Sequence, residues 1–332
     1  MPALPDYALD LGFDAFAARS GGPALEYREL FASHGDLPRS LRRWAGHHGL
    51  EARGLAPRDP VRTGMSEKLL FGLRDGFAVE SVLIRRCDGH TACISSQVGC
   101  AFACRFCASG QAGLKRNLTR GEIVEQVVRL GPRVNRIVFM GIGEPLNNYD
   151  NVLGAIRILR DRRGMDFPTT GITISTIGIP KALRALREEH LGINLTISLH
   201  ATTDEQRARL IPGARKHALA DVVGGALSWA RRHNRIVTFV YLLLPGINDT
   251  DADLRRLCEL LAGQPARLNL MRWNRVDGLG FGRVADGRLS TFRRGLERAG
   301  IPVAVRDTQG QSIDAACGQL WLRDLAGRRI AA

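Results

Sequence analysis

From about residue 75 onward the chain alternates short β-branched runs with longer amphipathic stretches. The runs "SVLIRR", "TACISSQV", "RIVFMGIG", "GITISTIG", "INLTISLH", "RIVTFVYLLL", "ARLNLM" and "IPVAVRD" read as strands. Between them, helical spacing of apolar residues predicts helices over 122–130, 152–160, 179–188 and 218–232. Strand and helix repeated in this order predict βα units around a parallel sheet, and at least six such units favour a full or partial (β/α)6-type barrel over a doubly wound open sheet. Before residue 75, "LEYRELFASHGDLPRSLRRWAGHHGLEARG" mixes apolar and basic residues at helical spacing, broken by Pro and Gly. A small helical accessory domain is expected over 1–75 and the α/β barrel over 76–332.

A barrel gathers its chemistry on the loops that follow its strands. Polar and sulfur-bearing residues fall there: Cys100, Cys104 and Cys107 after "ISSQV", Gly143 and Glu144 after "IVFMGI", Ser175 and Thr176 ending "GITIS", Ser198 and His200 ending "NLTISLH", and Asn274 after "LNLMRW". Singly, each is an ordinary turn or cap residue. Together, they mark five loops converging on one rim.

Composition narrows the setting. The 332 residues carry a formal net charge of +14, with a pI near 10.3. Such a balance suits a polyanionic partner, nucleic acid first, and is equally the mark of an Arg-rich habit. Lys115, Arg116 and Arg120 in "LKRNLTR" and Arg39, Arg42 and Arg43 in "RSLRRW" are candidate phosphate contacts. No apolar run reaches the length of a membrane span, and "MPALPDYALD" lacks the regions of a secretory signal, so a reducing cytoplasm is expected. There, clustered cysteines point to metal or redox chemistry rather than structural bridges.

Four of the seven cysteines lie between Cys93 and Cys107, three of them spaced C-x3-C-x2-C. Thiolates suit zinc or an iron-sulfur cluster, and this spacing lets one loop cover three corners of a cubane, leaving one iron open for a substrate-like cofactor. A structural zinc site asks for a fourth protein ligand, for which Cys93 stands seven residues upstream.

C-x3-C-x2-C followed by "GEP" after the next strand resembles the radical S-adenosylmethionine (SAM) superfamily. The wider set "CISSQVGC", "GLKRNL", "FMGIGEPL", "ISTIGI", "SLHA", "LNLMRWN" and "SIDAACGQL", in order from about Glu80 to Leu320, resembles the RlmN/Cfr family of RNA methyltransferases, which methylate an adenine carbon. The resemblance implies a [4Fe-4S] cluster held by Cys100, Cys104 and Cys107. It implies SAM, two molecules per turnover, bound by Gly143, Glu144, Ser175, the stretch Ser198, Leu199 and His200, and Asn274. It further implies that Cys317 becomes S-methylated, that Cys93 resolves the covalent intermediate, and that Glu80 is the general base. Cys258 reads as a buried helix residue and Cys87 as a turn residue, neither matching a functional position. The implied substrate is ribosomal RNA, with transfer RNA second, and the implied partners are electron donors for the cluster and for a Cys93–Cys317 disulfide. A monomer is expected. Most of the family acts at C2 of adenine, whereas "STIGI" is similar to the branch that acts at C8. Two readings remain beside this one: a radical SAM enzyme with a non-RNA substrate, which needs no reactive Cys93–Cys317 pair, and a zinc-dependent RNA-binding protein, which needs no "GEP".

Overall fold

The structure, a computed structural model, describes residues 7–20, 24–32, 38–50, 53–58, 60–276 and 278–306, with Leu322 and Asp324. Contacts divide the chain into two units, Met1–Val98 with Lys115–Thr173, and Gly99–Leu114 with Ile174–Ala332.

The first unit begins with helices α1 (Phe13–Ser20), α2 (Ala24–Ala32) and α3 (Arg39–His47). Strands follow: β1 (Ala56–Pro57), β2 (Val61–Thr63), β3 (Ser66–Gly72), β4 (Ala78–Arg86), β5 (Gly89–Cys93), the short β6 (Gln97–Val98) and β7 (Arg116–Asn117). Then come α4 (Arg120–Leu130), β8 (Val134–Phe139) and α5 (Tyr149–Arg160). The strand order is β1-β3-β4-β5-β8, with β2 on β3. Pairing is antiparallel as far as β5 and parallel between β5 and β8. The switch follows from the connections: a two-residue turn at Cys87 and Asp88 joins β4 to β5, whereas α4 carries the chain over to β8. Helix α4 starts where Thr119 and Glu122 form a reciprocal capping box, and Gly131, at φ 106°, ends it. Asp10 accepts from the Gly121 N–H (2.5 Å) and Glu125 from that of Gly54 (2.7 Å), so the N-terminal segment is tied to α4.

These strands correct the expected helical span of 1–75, in which described helices reach only His47 and residues 56–72 carry three strands. Alternation decides it: Lys68 and Leu70 face one side of β3, Glu67, Leu69 and Phe71 the other, and both sides are covered.

Strand β9 (Ile172–Thr176) crosses the division. The second unit continues through α6 (Pro180–Arg187), β10 (Asn194–Ser198), α7 (Asp204–Leu210), α8 (Leu219–Arg232), β11 (Val237–Leu243), α9 (Asp251–Leu261), β12 (Ala266–Arg272), α10 (Asp286–Arg298) and β13 (Val303–Arg306). Strands β10, β11, β12 and β13 pair in parallel in chain order. All seven residues of β11, "VTFVYLL", are buried, as expected for a strand covered on both faces. From β5 to β13 the described chain completes six βα units. The four helices expected from spacing lie within three residues of α4, α5, α6 and α8. No described helix is long and apolar enough to cross a membrane.

Candidate active site

The cysteine loop belongs to the second unit and is held by main-chain bonds and apolar packing. Arg105 N donates to Leu210 O (3.0 Å), Gly213 N to Phe102 O (3.0 Å) and Trp273 Nε1 to Phe106 O (3.1 Å). Two glycines permit the path: a Cβ on Gly99, at φ 77°, would lie 1.9 Å from Gly113 O, and one on Gly213 would lie 2.5 Å from Phe102 Cα. Ala103 adopts φ 49°, turning the chain between Cys100 and Cys104. Cys104 is buried; Cys100 and Cys107 are half-buried. All three border one apolar cluster that includes Phe102, Ile177, Leu210, Ile211, Leu244 and Trp273, against which Leu322, five residues beyond Cys317, also packs.

Strand ends of the same unit bring up His200, buried at φ 56°, its ring edge-to-face with Phe106 at 4.9 Å between centroids. His200 Nδ1 accepts from Leu242 N (3.1 Å), which leaves the ring proton on Nε2, and Asn248 Nδ2 donates to His200 O (2.8 Å). Burial, and secondarily the Arg207 guanidinium, push its pKa down to about 3, so the imidazole is neutral at any physiological pH. Leu199 is buried with its N–H on Val240 O (3.0 Å). Ser175, Ser198 and Asn274 are half-buried, and Thr176 is buried with its hydroxyl accepting from Gly178 N (2.9 Å).

Glu80, Cys93, Gly143 and Glu144 belong to the first unit. Register puts Lys68 and Cys93 on either side of Val82, so Lys68, Glu80 and Cys93 share one sheet face. Glu80 is 2% exposed and Cys93 5%, and Lys68 Nζ lies 3.4 Å from Glu80 Oε1. Buried side chains fix the ends of these strands. Ser95 Oγ donates to Glu80 O (2.6 Å) and accepts from Ile142 N (2.9 Å); Gln97 Oε1 accepts from Glu144 N (2.8 Å). Gly143, at φ 105°, passes so close to Gln97 that a Cβ would come within 2.6 Å of it. Glu144 Oε1 accepts from Leu146 N (3.0 Å). Lys68, Ser95 and Gln97 were not singled out from sequence, although polar "SSQ" inside a strand-like run was a signal that these side chains have buried partners.

Two expectations change. Arg116 is engaged inside the protein rather than presented to solvent: its burial is outweighed by two bonds to Glu122 and an ion pair with Asp75, which raise its pKa. Lys115, Arg120, Arg39, Arg42 and Arg43 are exposed. Cys258 is half-buried rather than buried, its Sγ 3.9 Å from Gly295 O, because it lies beside the inward stripe of α9 rather than on it. Cys87 is exposed in the β4–β5 turn. Cys317 lies outside the described residues.

Six βα units with a three-thiol loop after the first parallel strand define a radical SAM enzyme, and residues 94–258 match the Radical SAM superfamily. The chain is 70% identical over 322 residues to a probable RNA methyltransferase of Rhodopseudomonas palustris (strain BisB5), covering 96% of this chain and 90% of that one. It is 40% identical to the dual-specificity RNA methyltransferase RlmN of Syntrophobacter fumaroxidans, covering 96% of both. A crystal structure of a radical SAM methyltransferase from Sphaerobacter thermophilus superposes with a TM-score of 0.88 at 36% identity, over 95% of this chain and 99% of that one. The chain belongs to the RlmN family of radical SAM methyltransferases. It is a SAM-dependent methyltransferase, and its family uses a [4Fe-4S] cluster with SAM.

The loop suits such a cluster. Its donors are three thiols in an apolar surround, with the main-chain groups of Phe102, Arg105 and Phe106 already bonded elsewhere in the unit. Among the described residues no three His, Cys, Asp or Glu side chains are gathered around a single-ion site. The fit therefore rests on donor chemistry and loop path: soft ligands, one per iron, with low polarity around them.

Proposed function

We propose that this enzyme methylates a ring carbon of adenine in RNA, C2 foremost, in ribosomal RNA and also in transfer RNA, by way of a methyl group carried on Cys317. The observation that most supports this is Cys93: a fourth thiol, apart from the C-x3-C-x2-C set, buried on the same sheet face as the buried carboxylate of Glu80. A radical SAM enzyme without an S-methylcysteine step needs no reactive pair of Cys93 and Cys317. The names of its relatives, RNA methyltransferases, and the charge of +14 support RNA as the substrate. The enzyme acts in the cytoplasm as a monomer.

Adenine C2 and C8 are electron-poor and cannot attack a SAM methyl group as a nitrogen or oxygen would. Cys317 thiolate can, and takes the first methyl group by displacement. Cys100, Cys104 and Cys107 would hold the cluster, which, given an electron from a donor and a second SAM, would supply the radical chemistry that takes one hydrogen from that methyl group. The carbon on Cys317 then bonds to the ring, joining enzyme and RNA. Glu80 takes the ring proton on a carboxylate oxygen, and a one-electron carrier accepts the adduct's odd electron. Cys93 thiolate attacks Cys317 Sγ; the S–S bond forms, the C–S bond breaks, and its electron pair stays with the carbon, which picks up a proton as the new methyl group. A two-electron reductant restores both thiols. Gly143, Glu144, Ser175, Ser198, Leu199, His200 and Asn274 bind SAM, the neutral His200 offering its Nε2–H as a donor.

Labelled RNA on denaturing gels tests the reading. Cys93→Ala should accumulate an RNA-protein crosslink, and Cys317→Ala should give neither crosslink nor product while retaining iron. Methyladenosine made by Cys317→Ala would overturn the mechanism. Digestion of the product RNA distinguishes the C2 isomer from C8, and the C8 isomer would overturn the assignment to C2.

A further inference from the structure

The sheet formed by β3, β4 and β5 carries ion pairs on both faces, and they differ in kind. On one, Glu67 meets Arg62 and Arg85, whose side chains are 65% and 42% exposed. These are rim pairs, with one partner of each reaching into solvent. On the other, Lys68 and Glu80 face each other at 3.4 Å with side chains 7% and 2% exposed. A pair buried to this depth adds little stability over apolar residues of the same size, because removing two charges from water offsets their attraction. Leu70, Val82 and Cys93 surround it on that face, the kind of lining an apolar pair would share. Stability alone therefore does not account for a lysine at this position.

We propose that Lys68 is a positioning residue of the methyl-transfer reaction: its ammonium fixes the Glu80 carboxylate, in place and in orientation, as acceptor of the ring proton. The proposal rests on the reading of Glu80 as the base. The geometry provides two anchors: Ser95 Oγ donates to the main-chain oxygen of Glu80 at 2.6 Å, and Lys68 Nζ lies 3.4 Å from Glu80 Oε1. In the step assisted, the ring C–H bond of the adduct breaks, the proton passes to the Glu80 carboxylate, and the electron pair stays on the adduct. The Lys68 ammonium keeps its own proton throughout and balances the carboxylate's charge before the transfer. Until that step is complete, Cys93 has no adduct it can release.

The test uses RNA deuterated at the target ring carbon, with Cys93→Ala as the reference crosslink, in which the base step is complete and deuterium has been lost. In Glu80→Gln and in Lys68→Gln, a crosslink should accumulate that retains deuterium, and product should form roughly 100-fold more slowly. Iron content and methylation of Cys317 should match the parent in both. Lys68→Gln that releases methylated RNA at the parental rate overturns the proposal. Glu80→Gln that loses deuterium and turns over overturns instead the assignment of Glu80 as base, so the two failures are distinguishable. Should Lys68→Gln not fold, Lys68→Arg decides with its cluster loaded: deuterium loss slower than in the parent supports the role, and an unchanged rate overturns it.

Discussion

The cysteine loop and the strand ends bearing Glu80, Cys93 and Glu144 hold functional groups in place by opposite means. In the loop, the polar bonds are made by the main chain, to Leu210, Gly213 and Trp273, while the side chains lie in an apolar cluster. At the strand ends, Ser95, Gln97, Gln126 and Asn148, all at most 2% exposed, bond to the main chain around them. Gln126 alone accepts from Ser81 Oγ and Ser95 N and donates to Ser95 O and Glu122 O. The difference suits the chemistry proposed for each region. Soft thiolates around a cluster want low polarity and tolerate a single exposed iron, whereas a carboxylate that moves a proton or grips an amine must point in one direction, and fully bonded buried amides impose direction.

The contrast can be broken at its strongest point first. Cys104→Ala should remove iron binding, SAM cleavage and methylation together, read by iron analysis and by release of 5'-deoxyadenosine. Retained SAM cleavage would dissolve the distinction between the two regions. Next in size, Gln97→Ala leaves the buried Glu144 N–H without its acceptor, a loss of about 1–3 kcal/mol. SAM binding by equilibrium dialysis should weaken about 10-fold or more, with iron content unchanged, separating the two regions by measurement.

His200 gives a pH-dependent effect of similar size, on stability rather than on SAM binding. Its ordinary value of 6.5 falls to about 3 in the fold, so between these values the unfolded chain binds one proton more. The stabilisation is complete above pH 6.5 and is lost as pH falls through that window, at about 1.4 kcal/mol per pH unit. His200→Asn keeps a side-chain acceptor and tolerates positive φ; its urea midpoint should fall less steeply than the parent's between pH 6 and pH 4. Parallel curves would show that burial of this ring does not set the slope. Smallest of all, Arg62→Ala on the rim should change stability by no more than about 0.5 kcal/mol and leave methylation untouched, since Arg85 still meets Glu67. A large loss there would erase the difference between the rim pairs and Lys68–Glu80.

Local signals were readable where one stretch of chain carries its own instructions. The βα rhythm after residue 75 and the spacing of Cys100, Cys104 and Cys107 both act within short stretches of chain. The strands at 56–72 escaped because β1 and β2 are two and three residues long and exist only by pairing with β3. The internal partners of Arg116 were not legible for a related reason: a basic tract shows charge, but not that Asp75, 41 residues away, and Glu122 will meet it.

By itself the sequence determined the βα order, the three-thiol loop and the family, because periodicity and motif spacing are properties of neighbouring residues. Only the tertiary structure decided that Lys68 would meet Glu80, that Gln97 would hold Glu144 and that His200 would be neutral. Strand register and burial are agreed between distant segments, and it is they that turn a residue's type into a direction, a partner and a charge.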